Sequence, residues 1–473
     1  MIGKLNFSKP QEITKYVSDN NIKILNLCHI PEDGRLKTLS FSASNNEKIL
    51  EVLEFGERVD GSSLFSFIEA GRSDIYVAPN ITKAFANPFS TLQSLNIMCD
   101  YLDENGKPLD ISPKNVLARA ENKLKSSTGI VMKALAELEF YAVFKPEGQT
   151  LFHGESDRNY HESSPFAQFE NPRNEAQAIL AQLGIKTKYA HCEVGRINRG
   201  NAGFLEQHEI EFEASSLNDM AEAIAIAKWV IRNVAARYGI EVSFAPKMDI
   251  EHAGTGMHVH FCGLKNGKNV IANADGSLSS EGLQMIGGLL RFAWSLSAFG
   301  NSTPASYVRF VARKESPLHA CWSARNRMAL IRIPLWWSFK KARVEPESYK
   351  QTIEYRAPDA FANPCLLFAA MAVAVEHGLT NQKESLKFAE ELHVEGPFSE
   401  RRKELVLPRS CAEAAEGLDK DKRFFEADGV FPQTLIDKTI DRLKGYQDRD
   451  LWRKVADNPE EIKSLLERYL NHG

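Results

Sequence analysis

Two stretches of this 473-residue chain carry acidic side chains at every second position. Glu137 and Glu139 alternate with apolar residues in AELEFYAVF, and Glu209, Glu211 and Glu213 do so in HEIEFE. Because successive side chains of a β-strand point to opposite sides, each set shares one face of its strand. Neighbouring carboxylates repel one another unless a cation lies between them. If these faces are buried they predict a divalent-cation site, whereas exposed faces would only be solvated.

A further strand candidate supplies two imidazoles next to a glycine-rich turn. In AGTGMHVHF, His258 and His260 share one strand face directly after Gly254 and Gly256. Such imidazoles can be metal ligands or phosphate contacts. The H-x-H spacing is equally typical of a hairpin edge with two solvated histidines.

Cationic side chains are concentrated between residues 306 and 334. They are Arg309, Arg313, Lys314, Arg325, Arg327 and Arg332. A little further on, the strand-like TIEYRAPD places Glu354 and Arg356 on one face. Bidentate donors close to cation-binding carboxylates are what a polyphosphate requires, and a solvated cationic face is the alternative.

Composition excludes several classes of function. A net charge of -4 gives no electrostatic attraction for nucleic acid or an anionic membrane. The N-terminus has no apolar core of signal-peptide length, and no apolar run approaches a membrane span. Seven cysteines without any C-x-x-C pair indicate reduced thiols in the cytoplasm and no zinc site. Walker A and G-x-G-x-x-G motifs are both missing from the sequence.

The elements that must position these residues fall into two parts. Short strand candidates dominate residues 1 to about 110, and a helix begins at Ser112-Pro113, where we place a domain boundary. Further helices are predicted over 173–183, 218–238, 280–297 and 364–378, with Asn218 or Asp219 as the N-cap of the second.

Taken together and in this order, five motifs resemble the glutamine synthetase family. They are DGSS at 60–63, ELE at 137–139, GTGMHVH at 254–260, SARNR at 323–327 and EYR at 354–356. The resemblance runs from about Asp60 to Arg356, with a weaker echo to about Val430. It implies an α+β fold, with a small β-grasp-like domain (1–110) before a larger catalytic domain (111–473). The latter is built on an antiparallel sheet flanked by helices.

The resemblance also implies an activity, its cofactors and an assembly. The family uses ATP to join ammonia to the γ-carboxyl of glutamate through a γ-glutamyl phosphate. Two or three Mg²⁺ or Mn²⁺ ions are expected in each site, in agreement with the carboxylate faces. The expected assembly is a homo-oligomer, a dodecamer, whose active sites lie between subunits.

Matching positions imply individual roles. One ion is expected on Glu139, Glu193 and Glu209, and the second on Glu137, His258 and Glu354. The phosphates are expected to meet Arg327, Arg332 and Arg356, and the nucleotide His260. Glutamate is expected to meet Arg309 and the backbone of Gly254, under a loop carrying Glu315. Asp60 of a neighbouring subunit is expected to take a proton from ammonium beside Ser63, Tyr160 and Glu193.

Three departures from the family pattern leave alternatives open. Ala253 stands where the family has Asn, Cys262 replaces a hydroxyl residue, and the gap from Glu193 to Glu209 is about twice the usual one, so Glu211 is the alternative ligand. Two other functions remain: ligation of glutamate to a larger amine such as a polyamine or ethanolamine, or a non-catalytic role. All four residues expected around ammonium (Asp60, Ser63, Tyr160 and Glu193) are present, which favours ammonia as the acceptor. All the carboxylates expected to bind metal are present too, which favours a catalytic role.

Overall fold

The computed structural model of the chain describes residues 3–145, 152, 154–312, 316–335, 351–395 and 406–472. The first part consists of β1 (Lys4–Leu5), α1 (Pro10–Asp19), β2 (Ile24–His29), β3 (Lys37–Ser42), α2 (Asn46–Phe55), β4 (Glu57–Asp60), β5 (Asp74–Ala86) and β6 (Ser94–Leu102). Its six strands form one sheet in the order β1-β5-β6-β2-β3, with β4 also paired to β5.

Two amphipathic helices cover this first sheet. Ile13 and Val17 of α1, and Ile49 and Leu53 of α2, recur at the helical spacing of four and pack against Leu25 of the central strand β2. Strand β2 runs parallel to β6 and antiparallel to β3. This arrangement confirms the expected β-grasp-like N-terminal part.

The larger part begins with a helix and is built on a second sheet. Its strands are β7 (Ile130–Phe144), β8 (Thr187–Asn198), β9 (Phe204–Phe212), β10 (Ser215–Ser216), β11 (Glu241–Ser243), β12 (Met257–Lys265), β13 (Lys268–Asn269), β14 (Trp322–Ala324), β15 (Ile331–Ile333) and β16 (Ile353–Tyr355). Its helices are α3 (Pro113–Thr128), α4 (Glu170–Gln182), α5 (Leu217–Arg237), α6 (Ser280–Arg291), α7 (Ala293–Gly300), α8 (Pro304–Val311), α9 (Pro364–Thr380), α10 (Gln382–Glu391), α11 (Cys411–Glu426), α12 (Gln433–Gly445), α13 (Leu451–Asp457) and α14 (Pro459–Glu467).

The second sheet has ten strands, with the path β14-β15-β16-β12-β7-β9-β8. All described pairings in it are antiparallel except that of β14 with β15. Strand β7 is central, because it pairs with β12 along one edge and with β9 along the other. The expected α+β class, with an antiparallel sheet flanked by helices, is confirmed.

Two expectations about helices need correction. The N-cap of α5 is Ser216, whose hydroxyl accepts a hydrogen bond from the backbone N–H of Asp219 (3.1 Å), so Asn218 and Asp219 lie inside the first turn. The helix predicted over 280–297 is two helices, because the backbone leaves helical geometry at Phe292 (φ −105°, ψ 16°). The buried ring of Phe292 packs edge-on against His377, Phe424 and Phe425 there.

The two sheets use residues 4–102 and 130–355, and we propose a division between the parts near residue 110. Their packing is continuous, since Cys28, Phe85 and Met98 of the first part belong to the same hydrophobic core as β7. Among the described residues, no helix has the length and apolar character needed to cross a bilayer.

Candidate active site

A cavity of about 200 Å³ opens at the middle of the second sheet. Fourteen of the residues singled out in the sequence line it: Glu137, Glu139, Tyr160, Glu193, Glu209, Glu211, Ala253, Gly254, His258, His260, Arg309, Arg327, Arg332 and Arg356. Glu354 lies directly beneath, fully buried. Residues separated by more than 200 positions in the sequence therefore meet in one place.

Strand register explains why the carboxylates converge. Glu139 of β7 is directly opposite Glu209 of β9, and Glu137 is directly opposite Glu211. All four line the same cavity, and Glu139, Glu209 and Glu211 are buried. Glu213, by contrast, follows the end of β9 and is exposed, so the predicted face of three glutamates is wrong in its third member.

Glu209 is the carboxylate with the most negative surroundings. Burial raises its pKa well above the usual range, and the charges of Glu137, Glu193, Glu139 and Glu211 raise it further. Glu211 differs because its Oε1 accepts from Nζ of Lys188 at 2.6 Å. Glu211 therefore has a cation already, whereas Glu209 contacts the imidazole of His191, whose Nε2 lies 3.3 Å from its Oε1.

Glu137 lies between the two histidines of β12. Its Oε2 lies 2.8 Å from Nδ1 of His258, and its Oε1 lies 2.9 Å from Nε2 of His260. Burial opposes ionisation of Glu137, but the charge of His260 and hydrogen bonds from both imidazoles outweigh it and lower its pKa well below the usual range. His258 also faces Glu139 (3.8 Å) and Glu354 (3.9 Å), so its ring occupies the centre of the acidic group.

Glu354 joins the acidic group to the arginines. It is directly opposite both His260 on β12 and Arg332 on β15. Nη1 of Arg332 lies 2.7 Å from Oε2 of Glu354, and Arg356 donates to Oε1. Burial raises the pKa of Glu354, but Arg356 and His260 outweigh this and lower it. Nε of Arg332 and Nε of Arg356 are buried and have no hydrogen-bond partner among the described residues.

The glycine turn packs directly against Arg309. This arginine is 2% exposed, and its Nη1 donates to the carbonyls of Ala357 (2.8 Å) and Pro358 (3.3 Å). A Cβ on Gly254 would lie 2.8 Å from Cγ of Arg309, and one on Gly256 would lie 2.6 Å from Nε2 of His258. A side chain at either position would displace Arg309 or His258, which is a physical reason for the glycines of the motif.

Gln207 is a residue of the site that the sequence interpretation missed. Its side chain donates to Oε2 of Glu139 (3.0 Å) and to the carbonyl of Gly254 (2.9 Å), and it accepts from the N–H of Gly195 (3.0 Å). Gln207 thus fixes both a carboxylate and the glycine turn. Extending the alternation of Glu209 and Glu211 by one step toward the N-terminus would have found it.

The long gap between Glu193 and Glu209 consists of the end of β8, which contains a bulge, the turn at Gly200–Ala202 and the start of β9. The strands β8 and β9 form one hairpin, whose register shifts between Cys192 and Arg196. Glu193 lies in that bulge, which turns it toward the cavity beside His191. Tyr160 covers the imidazole of His191 edge-on, with a centroid distance of 5.4 Å.

Asp60 and Ser63 lie apart from this cavity, on the exposed surface of the first part. Asp60 accepts hydrogen bonds from the hydroxyls of Ser63 and Ser62, both at 2.7 Å. These bonds lower the pKa of Asp60 to about 2, so it remains a carboxylate at neutral pH. Glu315 lies outside the described residues.

Comparisons with known proteins identify the family. The family model "Glutamine synthetase, catalytic domain" matches residues 110–457, and "Glutamine synthetase, beta-Grasp domain" matches 21–104. A glutamine synthetase from Bradyrhizobium diazoefficiens is 30% identical over 462 residues, covering 91% of this chain and 94% of that protein. A protein named 3-hydroxylaminophenol mutase, from Cupriavidus pinatubonensis, is also 30% identical, over 460 residues with the same coverage.

A solved structure agrees in fold. The cryo-EM structure of Plasmodium falciparum glutamine synthetase has a TM-score of 0.79 to this chain at 20% sequence identity, with 99% of this chain and 98% of that one covered. At that identity the likeness shows the fold alone. The family models and the bacterial relatives carry the further conclusion that this chain belongs to the glutamine synthetase family.

Proposed function

We propose that this protein is an ATP-dependent carbon–nitrogen ligase that joins ammonia to the γ-carboxyl of glutamate through a γ-glutamyl phosphate. One observation carries the proposal. Carboxylates of β7, β8 and β9 face one cavity, and four arginines line the same cavity. This combination suits the transfer of a phosphoryl group to a carboxylate, because both reactants are anions.

The carboxylates and the imidazole of the cavity suit two hard divalent cations, Mg²⁺ or Mn²⁺, as ligands. A third ion would arrive with the nucleotide. Glu139, Glu193 and Glu209 would hold the first. Oε2 of Glu139 accepts from Gln207 (3.0 Å) and Gly256 (2.6 Å), which orients its other oxygen. Among the alternatives, Glu209 is preferred to Glu211 because Lys188 already neutralises Glu211.

Glu137, His258 and Glu354 would hold the second ion. His258 faces both carboxylates, at 2.8 Å and 3.9 Å. Bound ions would neutralise the charge that otherwise keeps the carboxylate of glutamate away from the triphosphate. His260 also lies on Glu137, and Thr352 lies 3.1 Å from its Nδ1, which places its ring at the side of the cavity where we propose the nucleotide.

The arginines would bind the transferring phosphoryl group. Arg332 and Arg356 are held in place by Glu354, and the Nε of each, which has no partner in the part of the chain that the structure describes, would act as a donor. Arg327 lines the same cavity. Such fixed donors stabilise the charge of the equatorial oxygens as the phosphoryl group moves to the carboxylate. Arg309 would hold the α-carboxylate of glutamate near Gly254, and closure of the loop with Glu315 would exclude water.

The proposed binding site for ammonium, which accepts the glutamyl group, requires a second copy of the chain. Asp60 and Ser63 are exposed and do not line the cavity of their own chain. A neighbouring subunit's copy, kept ionised by its serine hydroxyls, would remove a proton from ammonium beside Tyr160 and Glu193. The exposure of Asp60 supports a homo-oligomer with active sites between subunits, and we propose that it is a dodecameric ring. Seven free and buried cysteines support a reducing compartment, the cytoplasm.

A larger amine is the second candidate for the acceptor. Tyr160 and Tyr189, at the mouth of the cavity, are 47% and 45% exposed in the isolated chain, which leaves room for an alkyl substituent. The relative named as a mutase also shows that proteins equally similar to this chain carry different activity names.

Phosphate release with ATP, Mg²⁺ and glutamate, measured with ammonium and with a panel of amines, separates these functions. We expect release with ammonium, and strong loss of it in Glu137→Ala but not in the control Glu213→Ala, since Glu213 is exposed. Release with putrescine or ethanolamine but not ammonium would favour the second candidate. No release with any acceptor would favour a non-catalytic role.

A further inference from the structure

His191 lies at the edge of the first proposed cation site but belongs to none of the roles assigned above. Its ring is 14% exposed, and one ligand atom each from His191, Glu193 and Glu209 lie within 4.8 Å of one another. The position precedes the bulge that carries Glu193. It is directly opposite Glu209 in regular register, so the two side chains share one face of the sheet.

The tautomer of His191 follows from one contact. Nδ1 lies 3.0 Å from the carbonyl oxygen of Cys192, and since a carbonyl only accepts, Nδ1 carries the hydrogen. In the neutral ring the lone pair is then on Nε2, the atom 3.3 Å from Oε1 of Glu209. A ring nitrogen fixed by a backbone carbonyl on its far side is the usual arrangement of a metal-bound histidine.

The contact between Nε2 and Glu209 requires a positive charge. Two acceptors at 3.3 Å repel each other unless a cation or a proton lies between them. Glu209 is 5% exposed and close to other carboxylates, and the nearby Oε2 of Glu211 is buried without a hydrogen-bond partner among the described residues. A divalent ion satisfies the imidazole and the carboxylates together, whereas a single proton satisfies one contact.

The aromatic rings around His191 hold it in this orientation. His161 lies at a centroid distance of 4.5 Å, Tyr160 packs edge-on at 5.4 Å, and Tyr189 lies at 5.7 Å. An imidazole held from three sides loses little side-chain freedom when it binds an ion, which favours binding.

We propose that His191 is a fourth protein ligand of the first cation, donating through Nε2 beside Glu139, Glu193 and Glu209. The inference rests on the two-ion site of the proposed function. A nitrogen ligand changes the preference of an otherwise all-oxygen site, because imidazole favours transition-metal ions over Mg²⁺. This chain's first site should therefore discriminate in favour of Mn²⁺ more strongly than carboxylates alone would allow.

Pulsed electron paramagnetic resonance of Mn²⁺ bound to the full chain tests this without any turnover. The technique detects ¹⁴N nuclei coordinated to Mn²⁺, and labelling with ¹⁵N-histidine assigns them. Because His258 is the proposed nitrogen ligand of the second ion, the informative variant is His258→Gln. Its Mn²⁺ should retain histidine coupling, which the double variant His191→Gln/His258→Gln should lose.

His161→Gln is the matched control, since the ring of His161 packs on His191 and His161 is not among the described residues that line the cavity. It should keep the coupling. In Mn²⁺ and Mg²⁺ titrations, His191→Gln should weaken Mn²⁺ binding about tenfold or more, with a smaller loss for Mg²⁺. A melting curve for each variant verifies that it is folded.

The remaining outcomes decide against the inference. Loss of all histidine coupling in His258→Gln, with Mn²⁺ still bound, would show that His191 is not a ligand and leave the two-ion site intact. Coupling that persists in the double variant would place the nitrogen elsewhere. A wild-type chain that binds no Mn²⁺ would overturn the two-ion proposal together with this inference.

Discussion

Glu139 of β7 and Glu209 of β9 are directly opposite each other, and both are buried, at 7% and 5% exposure. In an antiparallel pair, opposed side chains are only about 5 Å apart at Cβ, and like charges in this position are destabilising. The two carboxylates therefore repel each other at the central strand of the sheet. The cation site that we propose would account for this arrangement, and this relationship is the basis of the first prediction.

Divalent cations should stabilise the folded protein. Removal of ions with a chelator should lower the melting temperature, and Mg²⁺ or Mn²⁺ should restore it, because ions bind the converged carboxylates and not the unfolded chain. At about 100 times Kd the gain is roughly 2.7 kcal/mol per site. Differential scanning fluorimetry measures this shift. It should shrink in Glu139→Gln but not in Glu213→Gln, and equal shifts in both variants would contradict the assignment.

The second prediction concerns the close contact of the glycine turn. In Gly256→Ala the new Cβ would lie 2.6 Å from Nε2 of His258 and 2.9 Å from Nη2 of Arg309. Both side chains must move, so the affinity for the second ion and for glutamate should fall by at least about tenfold. Isothermal titration with Mn²⁺ and glutamate measures both affinities. Gly71→Ala is the control, because nothing lies within 4 Å of its added Cβ, and unchanged binding in Gly256→Ala would refute the argument.

The third prediction concerns the opposite face of β9, where a polar network supports the active-site strands. Glu206 is fully buried, accepts from the N–H groups of Gln168 and Phe169, and faces Arg196 (3.7 Å) and His208 (3.5 Å). Glu206→Gln would leave the buried Arg196 without its counter-ion, which costs about 3–5 kcal/mol. Chemical unfolding measures the loss. The exposed Glu104→Gln should change stability by less than about 0.5 kcal/mol, and a similar value for both variants would show that the network contributes little.

The fourth prediction is a pH dependence of stability from Lys228 of α5. Burial, together with the nearby charge of Arg232, lowers its pKa to about 7. Between pH 7 and the ordinary value of 10.5 the unfolded chain binds a proton that the folded chain does not. The contribution of Lys228 to stability is therefore present above the ordinary value and is lost as the pH falls through about 7.

The variant Lys228→Met should remove this slope, which amounts to about 1.4 kcal/mol per pH unit for one proton. Chemical unfolding of the two proteins across that pH range tests it. The exposed Lys420→Met should retain the wild-type slope. Parallel curves for wild type and Lys228→Met would mean that Lys228 stays protonated in the fold.

The sequence predicts the site well where side chains alternate along one strand. Alternation places Glu137 with Glu139, and His258 with His260, on shared faces, and the register of β7 with β12 then brings the pairs together. The alternation wrongly includes Glu213, because β9 ends one residue earlier, at Phe212, and side chains no longer alternate between two faces beyond the end of a strand. Alternation within one strand also carries no information on which strands are neighbours.

Other features depend on contacts that a linear pattern does not contain. The bulge that turns Glu193 inward is a property of the β8–β9 pairing, and the role of Gln207 depends on a glycine turn 47 residues away. The break at Phe292 lies in a sequence that is helical in propensity on both sides. There, tertiary packing of one aromatic ring against α9 and α11 accompanies the break.

Isotope transfer is the most direct test of the proposed reaction. With ATP, Mg²⁺, ammonium and glutamate labelled with ¹⁸O in the γ-carboxyl, formation of a γ-glutamyl phosphate followed by displacement moves one ¹⁸O into the released phosphate. We predict glutamine and ¹⁸O-labelled phosphate in equal amounts, with both lost in Arg356→Ala. Glutamine without label in the phosphate, or no glutamine at all, would contradict the account.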